Sequence, residues 1–167
     1  MDTLGRRQRF FEVADYHVLC QRYVETADKA LPTAQAYLKI SVGGREGINA
    51  AEGDGPVNAL DKALRKTLSE FFPSVSRMSL QDFKVRVLNA EGTASLVRVS
   101  IESSDGAHIW NTVGVSENII EACLRSLIDS VDYMLSHFVP AEEISSAIGR
   151  ISGRNNASSP VYKTSEE

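Results

Sequence analysis

The stretch Glu52-Gly53-Asp54-Gly55-Pro56-Val57-Asn58-Ala59-Leu60 marks the point where a strand is predicted to end and an amphipathic helix to begin. Pro56 suits the first helical position, where its missing N–H has no partner to lose, and Asp54 or Gly55 can serve as the N-cap. Such a helix start leaves backbone N–H groups free for a small anion such as a carboxylate. Many helices begin this way and bind nothing, so this stretch favours a binding site only if the chain contains a second helix start of the same kind.

Three strands are predicted before this helix, at residues 11–23, 36–42 and 45–52. The helix then places Val57, Leu60, Leu64, Leu68 and Phe71 on one face. The opposite face is predicted to hold Asp61, Lys62, Arg65 and Lys66. Pro73 is predicted to end the helix.

The second half of the chain repeats this plan. Residues 82–88 echo the first strand from residue 15, an offset of 82 − 15 = 67, and residues 95–101 echo 36–42, an offset of 95 − 36 = 59. A third strand at 108–115 leads to a helix that aligns Ala122 with Ala59, an offset of 122 − 59 = 63. We therefore predict an α+β fold of two βββα units related by a pseudo-twofold axis, with antiparallel sheets packed against helices. Apolar surface left over favours a dimer.

Composition excludes several classes of protein. The 167 residues carry a net charge of −4, which argues against a general nucleic-acid binder. No run is long enough to span a membrane and there is no signal core, so we expect a cytoplasmic protein with no membrane partner. Cys20 and Cys123 are both predicted to be buried small hydrophobes. The three histidines are isolated, and no metal ligands are predicted.

The sequence favours binding over catalysis. It contains no nucleophile elbow, no phosphate loop and no complete dinucleotide fingerprint, so no catalytic residue is predicted. The two predicted helix starts, at residues 53–55 and 115–118, offer backbone donors for an anion and acidic side chains for a cation. That combination fits a zwitterion such as a free amino acid. Leu80, Phe83 and Val87 on the neighbouring strand could supply an apolar wall for its side chain.

Four blocks of sequence, at residues 52–64, 82–87, 92–95 and 112–122, resemble the C-terminal regulatory domain of the 2-isopropylmalate synthase and citramalate synthase family, most closely the citramalate branch. The resemblance covers residues 11–138. It implies a dimer of two βββα units that binds the pathway end product, isoleucine or leucine. Binding would inhibit the condensation of acetyl-CoA with a 2-oxo acid, pyruvate in the citramalate branch, in a metal-dependent TIM barrel.

The resemblance also implies an effector site and a catalytic partner. The site would consist of Gly53, Asp54, Gly55, Leu80, Phe83, Val87, Ala94, Ser116 and Asn118. Phe83 replaces the tyrosine usual in its block, and the loop at 89–92 is short, which affects the choice of amino acid. The barrel, which would hold the divalent metal and bind acetyl-CoA, is not among these residues. We therefore expect no cofactor and no activity in this chain alone. It would be a part of a longer acyltransferase or a separately encoded domain.

The predicted organisation is a linker at residues 1–10, a regulatory domain at 11–138 with units at about 11–73 and 80–138, and a disordered tail at 139–167. Two alternatives to an amino-acid sensor remain. One is a dimerisation module that has lost effector binding. The other is an unrelated sensor of the ferredoxin-like kind, in which the strand and helix order would be βαβ.

Overall fold

Three strands precede each of the two long helices in the computed structural model, which describes residues 9–22, 32–88 and 95–149. The first unit comprises β1 (Glu12–Arg22), β2 (Pro32–Val42), β3 (Arg45–Gly53) and α1 (Pro56–Ser69). A short 3-10 helix (Pro73–Arg77) leads to β4 (Ser79–Val87), β5 (Val97–Ser104), β6 (Ile109–Ser116) and α2 (Ile119–His137). A third helix, α3 (Ala141–Gly149), follows.

The two sheets have the same topology. Their strand orders are β1-β2-β3 and β4-β5-β6, and neighbouring strands in each are antiparallel. This confirms the α+β fold of two βββα units, and the ferredoxin-like alternative is wrong because three strands precede each helix. α1 packs on β2 and β3, and α2 packs on β5 and β6. One hydrophobic core joins the two units.

The strand registers show how closely the units repeat. β1 and β4 have irregular pairing at equivalent places, between Val13 and Asp15 and between Leu80 and Asp82, which agrees with the offset of 67. Tyr16 pairs with Leu38 and Phe83 pairs with Ile101, so β5 is offset from β2 by 101 − 38 = 63. The predicted offset of 59 is therefore wrong. A slip of four residues preserves the inward and outward alternation of a strand, so the sequence pattern could not detect it.

The connection between the units belongs to the core. Phe72, Val75 and Met78 are at most 1% exposed. Arg65 on α1 donates a hydrogen bond from Nη1 to the carbonyl oxygen of Met78, at 2.9 Å. The connector between α1 and β4 is therefore held by both packing and a polar contact.

Asp61 lies on a buried side of α1. The helical pattern predicts it on the solvent face, and this prediction is wrong because the residue is 3% exposed. Its carboxylate accepts two hydrogen bonds from Arg65, at 3.0 Å from Nε and 2.6 Å from Nη2. Beyond its own sheet, α1 also packs against the 3-10 helix and α2, and a helical pattern read from α1 alone cannot include these contacts. A buried carboxylate is tolerated there because it has a bidentate partner.

The two cysteines differ in their surroundings. Cys123 on α2 is buried as predicted, and burial raises the pKa of its thiol to about 11. The prediction for Cys20 is wrong, because this residue is exposed. It lies near the end of β1, where α1 no longer covers the inward face of the strand.

The chain ends are more structured than predicted where they are described. Phe10, assigned to a linker, is 8% exposed, and its N–H donates to Asp132 Oδ1 at 3.4 Å. Residues 141–149 of the predicted tail form α3, where Glu143 accepts hydrogen bonds from the N–H and hydroxyl of Ser74. The remainder, 150–167, lies outside the described residues, and the domain limits stay predictions. None of the described helices is long and apolar enough to cross a membrane.

Candidate functional site

The first helix start, residues 53–56, which we call the α1 mouth, has no side-chain cap. Gly55 is the N-cap in an extended conformation, and Pro56 occupies the first turn. Among the described residues, no side chain accepts a hydrogen bond from the N–H groups of this turn. Asn58 instead turns back and accepts the N–H of Asp54 on its Oδ1, at 3.3 Å. The α1 mouth therefore keeps the property predicted from sequence, which is a positive helix end open to an anion.

Gly53 is required by a close approach between β3 and α1. A Cβ built at this position would lie 2.5 Å from the backbone nitrogen of Ala59 and 2.6 Å from Asn58 Oδ1. Only a glycine allows the strand to pass this close to the helix. The glycine thus sets the position of the α1 mouth relative to the sheet.

A cavity of about 240 Å³ opens at the α1 mouth. Across the first sheet, Gly53 pairs with Ala34, and Ala34 pairs with Cys20. The pairing of β2 with β3 ends at this row, beside the helix start. The cavity is lined by Cys20, Gln21, Thr33, Ala34, Asp54, Gly55 and Pro56. Asp54 and Gly55 of the predicted site therefore share a cavity. Cys20 and Thr33 were not predicted to be part of the site, although the repeat could have indicated Cys20, since the offset of 67 relates it to Val87.

The second helix start is capped by its own side chain. Asn118 is the N-cap of α2, and its Oδ1 accepts the N–H groups of Ile120 at 2.9 Å and Glu121 at 3.4 Å. The N–H of Asn118 in turn donates to Ser116 Oγ at 3.2 Å. Ser116 and Asn118 are therefore in contact with each other. Because these N–H groups already have an acceptor, this mouth is less available to a ligand anion than the α1 mouth.

The predicted apolar wall lies on the inward face of β4. Leu80 and Phe83 are partly buried against the core, whereas Val87 is 59% exposed. Val87 pairs with Val97, and Val97 pairs with Ser116, so these residues form one row at the end of the second sheet. At about 4.8 Å between strands, Val87 and Ser116 are roughly 10 Å apart. None of the cavity residues at the α1 mouth comes from β4 or α2. Ala94 lies outside the described residues.

Tyr16 forms a polar contact between the two units. Its hydroxyl donates to Glu121 Oε2 in the first turn of α2, at 2.9 Å. Burial, followed by this hydrogen bond, raises the pKa of Tyr16. Tyr16 is the repeat equivalent of Phe83, because 83 − 16 = 67 matches the offset between β1 and β4. The hydroxyl that Phe83 lacks is thus present in the first unit, and the sequence argument did not include Tyr16 in the site.

No cluster of metal ligands is found in the parts of the chain that the structure describes, where three or more histidine, cysteine or acidic side chains would need to converge. The site consists of backbone donors, one exposed carboxylate at Asp54, the polar Gln21 and apolar or small neighbours. Such a set can bind a small charged molecule.

Comparisons with known proteins identify this class of domain. Residues 1–135 match the family model described as the LeuA allosteric (dimerisation) domain. The chain is 48% identical over 134 residues to the (R)-citramalate synthase of Geobacter sulfurreducens, a match that covers 80% of this chain and 25% of that protein. It is 47% identical over 132 residues to the (R)-citramalate synthase of Aquifex aeolicus, covering 78% and 24%.

A more distant similarity, 27% identity over 135 residues, relates it to the 2-isopropylmalate synthase of Methanocaldococcus jannaschii, covering 81% of this chain and 24% of that protein. The chain belongs to the family of LeuA allosteric (dimerisation) domains. It spans about a quarter of the length of these curated relatives.

Proposed function

We propose that this chain is an amino-acid-binding regulatory domain that gives end-product feedback inhibition of a citramalate synthase-type condensing enzyme. Isoleucine is the effector we propose, with leucine as the second candidate. The observation that carries the proposal is the uncapped α1 mouth with its cavity, in a chain that is 48% and 47% identical to two (R)-citramalate synthases.

The chemistry of the α1 mouth suits an amino acid. The backbone N–H groups at the start of α1 would bind the carboxylate of the effector, where the helix dipole favours negative charge. The exposed carboxylate of Asp54 would bind its ammonium group. A cavity of about 240 Å³ suits a small zwitterion, since the pockets of drug-sized ligands run from about 300 to 1,000 Å³.

The other predicted residues have secondary roles in this proposal. Leu80, Phe83, Val87 and Ala94 would surround the effector side chain. Ser116 and Asn118 would close the site from the second unit, which requires the α2 end of the fold to approach the ligand. Effector binding can shift the equilibrium between two conformational states of the enzyme only as far as the affinities of the effector for those two states differ.

The parent protein would be a cytoplasmic homodimer in branched-chain amino-acid biosynthesis. Its catalytic TIM barrel would supply the divalent metal site and bind acetyl-CoA and pyruvate. This chain would supply regulation and association without a cofactor of its own.

Isothermal titration with isoleucine, leucine and valine in parallel tests the proposal. Saturable heat with isoleucine supports the citramalate type of sensor, and a preference for leucine moves the chain to the isopropylmalate type. Leucine and isoleucine differ by the position of one methyl group, worth about 1–3 kcal/mol in a tight pocket.

Asp54→Ala should weaken effector binding at least about tenfold, because a hydrogen bond to a charged group contributes about 1.5–3 kcal/mol. Glu142→Ala is the control, since Glu142 is an exposed acid in the first turn of α3, outside the predicted site. Equal binding by wild type and Asp54→Ala would remove Asp54 from the site.

A second candidate is a dimerisation module without effector binding. It is favoured by Phe83, which has no hydroxyl at the position where the first unit has Tyr16, and by the side-chain cap on α2. A dimer that gives no heat with any of the three amino acids would support it.

A further inference from the structure

The inward face of β4 continues beyond the helices that cover the rest of the sheet. Its side chains are Leu80, Phe83, Val85 and Val87, which we call the β4 strip. α2 packs over β5 and β6 but hardly reaches β4. Leu80 and Phe83 are partly buried, Val85 is 38% exposed and Val87 is 59% exposed. Exposure therefore rises along a face that is otherwise the core of the domain.

The neighbours of the β4 strip are apolar. Val85 pairs with the fully buried Val99, and Val87 pairs with the partly buried Val97. The strip is thus continuous with the hydrophobic core. Exposed apolar surface of this kind, beside a packed core, marks an interaction site.

The second sheet has another exposed apolar row, which provides a comparison. Val113 and Val115 lie on the outward face of β6 and are each 38% exposed. They pair with Ser100 and Arg98, so their neighbours on that face are polar and charged. An apolar row with charged neighbours is normal on a solvated sheet face. A partner that covered this row would bury the charge of Arg98 without an ionic partner.

We propose that the β4 strip is the surface on which a second copy of this chain packs, an inference that rests on the proposed dimer. The family is described as a dimerisation domain, so a second copy of this chain is the partner that we propose. A twofold dimer brings the same patch of both subunits together. Two β4 strips would cover each other with branched apolar side chains and leave no charge on their inward faces unpaired.

Two valines with the same exposed fraction, on opposite faces of one sheet, allow a matched test. Val85→Glu places a carboxylate on the β4 strip, and Val113→Glu places one on the outward face. Val87 is not substituted because it belongs to the predicted effector site. Sedimentation equilibrium of the full chain over a range of concentrations measures the dimer dissociation constant, with 18.3 kDa as the mass of one chain.

We expect Val85→Glu to raise the dimer dissociation constant at least about 100-fold, because each dimer would bury two unpaired carboxylates. Val113→Glu should stay within about threefold of wild type. Circular dichroism melting of all variants separates a loss of association from a loss of folding. Val85→Ser, which adds no charge, should raise the dimer dissociation constant by a smaller factor than Val85→Glu.

The possible outcomes test the dimer and the location of its interface separately. A wild-type dimer that Val85→Glu leaves intact would overturn the β4 strip as the interface while leaving the dimer standing. A dimer that only Val113→Glu disrupts would place the interface on the outward face. A monomeric wild type would overturn the proposed dimer itself, whatever the titration with isoleucine gives.

Discussion

Gly114→Ala should destabilise the domain by forcing α2 away from β6. A Cβ at Gly114 would lie against the carbonyl oxygen of Ala122, 3.0 Å from the Ala122 carbonyl carbon and 2.9 Å from the Ser126 nitrogen. All three are backbone atoms of α2, so no side-chain rotation relieves the contact. Reaching an ordinary separation of 3.4 Å from the Ser126 nitrogen alone requires the helix to move outward by about 0.5 Å, and the closer Ala122 oxygen requires a larger movement.

This movement would also strain the polar contacts between the helix and the strand. Thr112 Oγ1 donates to the Ser126 carbonyl oxygen at 2.8 Å, and Ser126 Oγ donates to the Thr112 carbonyl oxygen at 3.1 Å. Overpacking of this kind costs about 1–3 kcal/mol. At about 2–4 °C per kcal/mol for a chain of this size, the melting temperature should fall by roughly 2–12 °C.

Differential scanning calorimetry measures the effect, and Gly149→Ala is the control. No atom lies within 4 Å of a Cβ at Gly149, so that variant should melt within about 1 °C of wild type. If Gly114→Ala also melted within 1 °C of wild type, helix α2 would not be seated on β6 as closely as the structure shows, and the reasoning would fail.

Two further predictions concern titratable groups. In the native protein a maleimide should modify the exposed Cys20 but not Cys123, whose buried thiol has a pKa of about 11; mass spectrometry counts one adduct before unfolding and two after. Isoleucine should slow the modification of Cys20, which lines the α1-mouth cavity, and an unchanged rate at saturating isoleucine would argue against binding there. Burial raises the pKa of Asp105, but hydrogen bonds from His108 and from backbone N–H groups outweigh it and lower the pKa to about 2. The ionised Asp105 carboxylate stabilises the fold above the ordinary pKa of about 3.8, and this stabilisation is lost as the pH falls towards 2. Asp105→Asn should therefore melt at a lower temperature than wild type at pH 6, and the difference in melting temperature should shrink by pH 2. A difference that does not change with pH would contradict this.

Features encoded in one segment could be predicted from sequence. Both long helices followed from apolar residues at helical spacing, and Pro56 marked the start of α1 correctly. The three strands of each unit were also predicted, although β2 begins at Pro32, before the expected residue 36. Short-range pattern is sufficient for these elements because each buries one face.

Features that depend on contact between the units could not be predicted. Asp61 is buried on a helix that also packs against the connector and α2, and the hydrogen bond from Tyr16 to Glu121 joins residues 105 positions apart. The offset between β2 and β5 was misjudged because alternation repeats every two residues. The effector site remains a prediction, and the structure adds that its two halves differ in how their helix starts are capped.

The buried connector between α1 and β4 limits how the domain can transmit a signal. Hinges are formed by residues free to absorb large changes in backbone angle. Phe72, Val75 and Met78 have no such freedom, because they fill the core and Arg65 holds the carbonyl oxygen of Met78. The connector should therefore not act as a hinge. A change that begins at one helix start would then reach the other unit through the packing of α1 against α2.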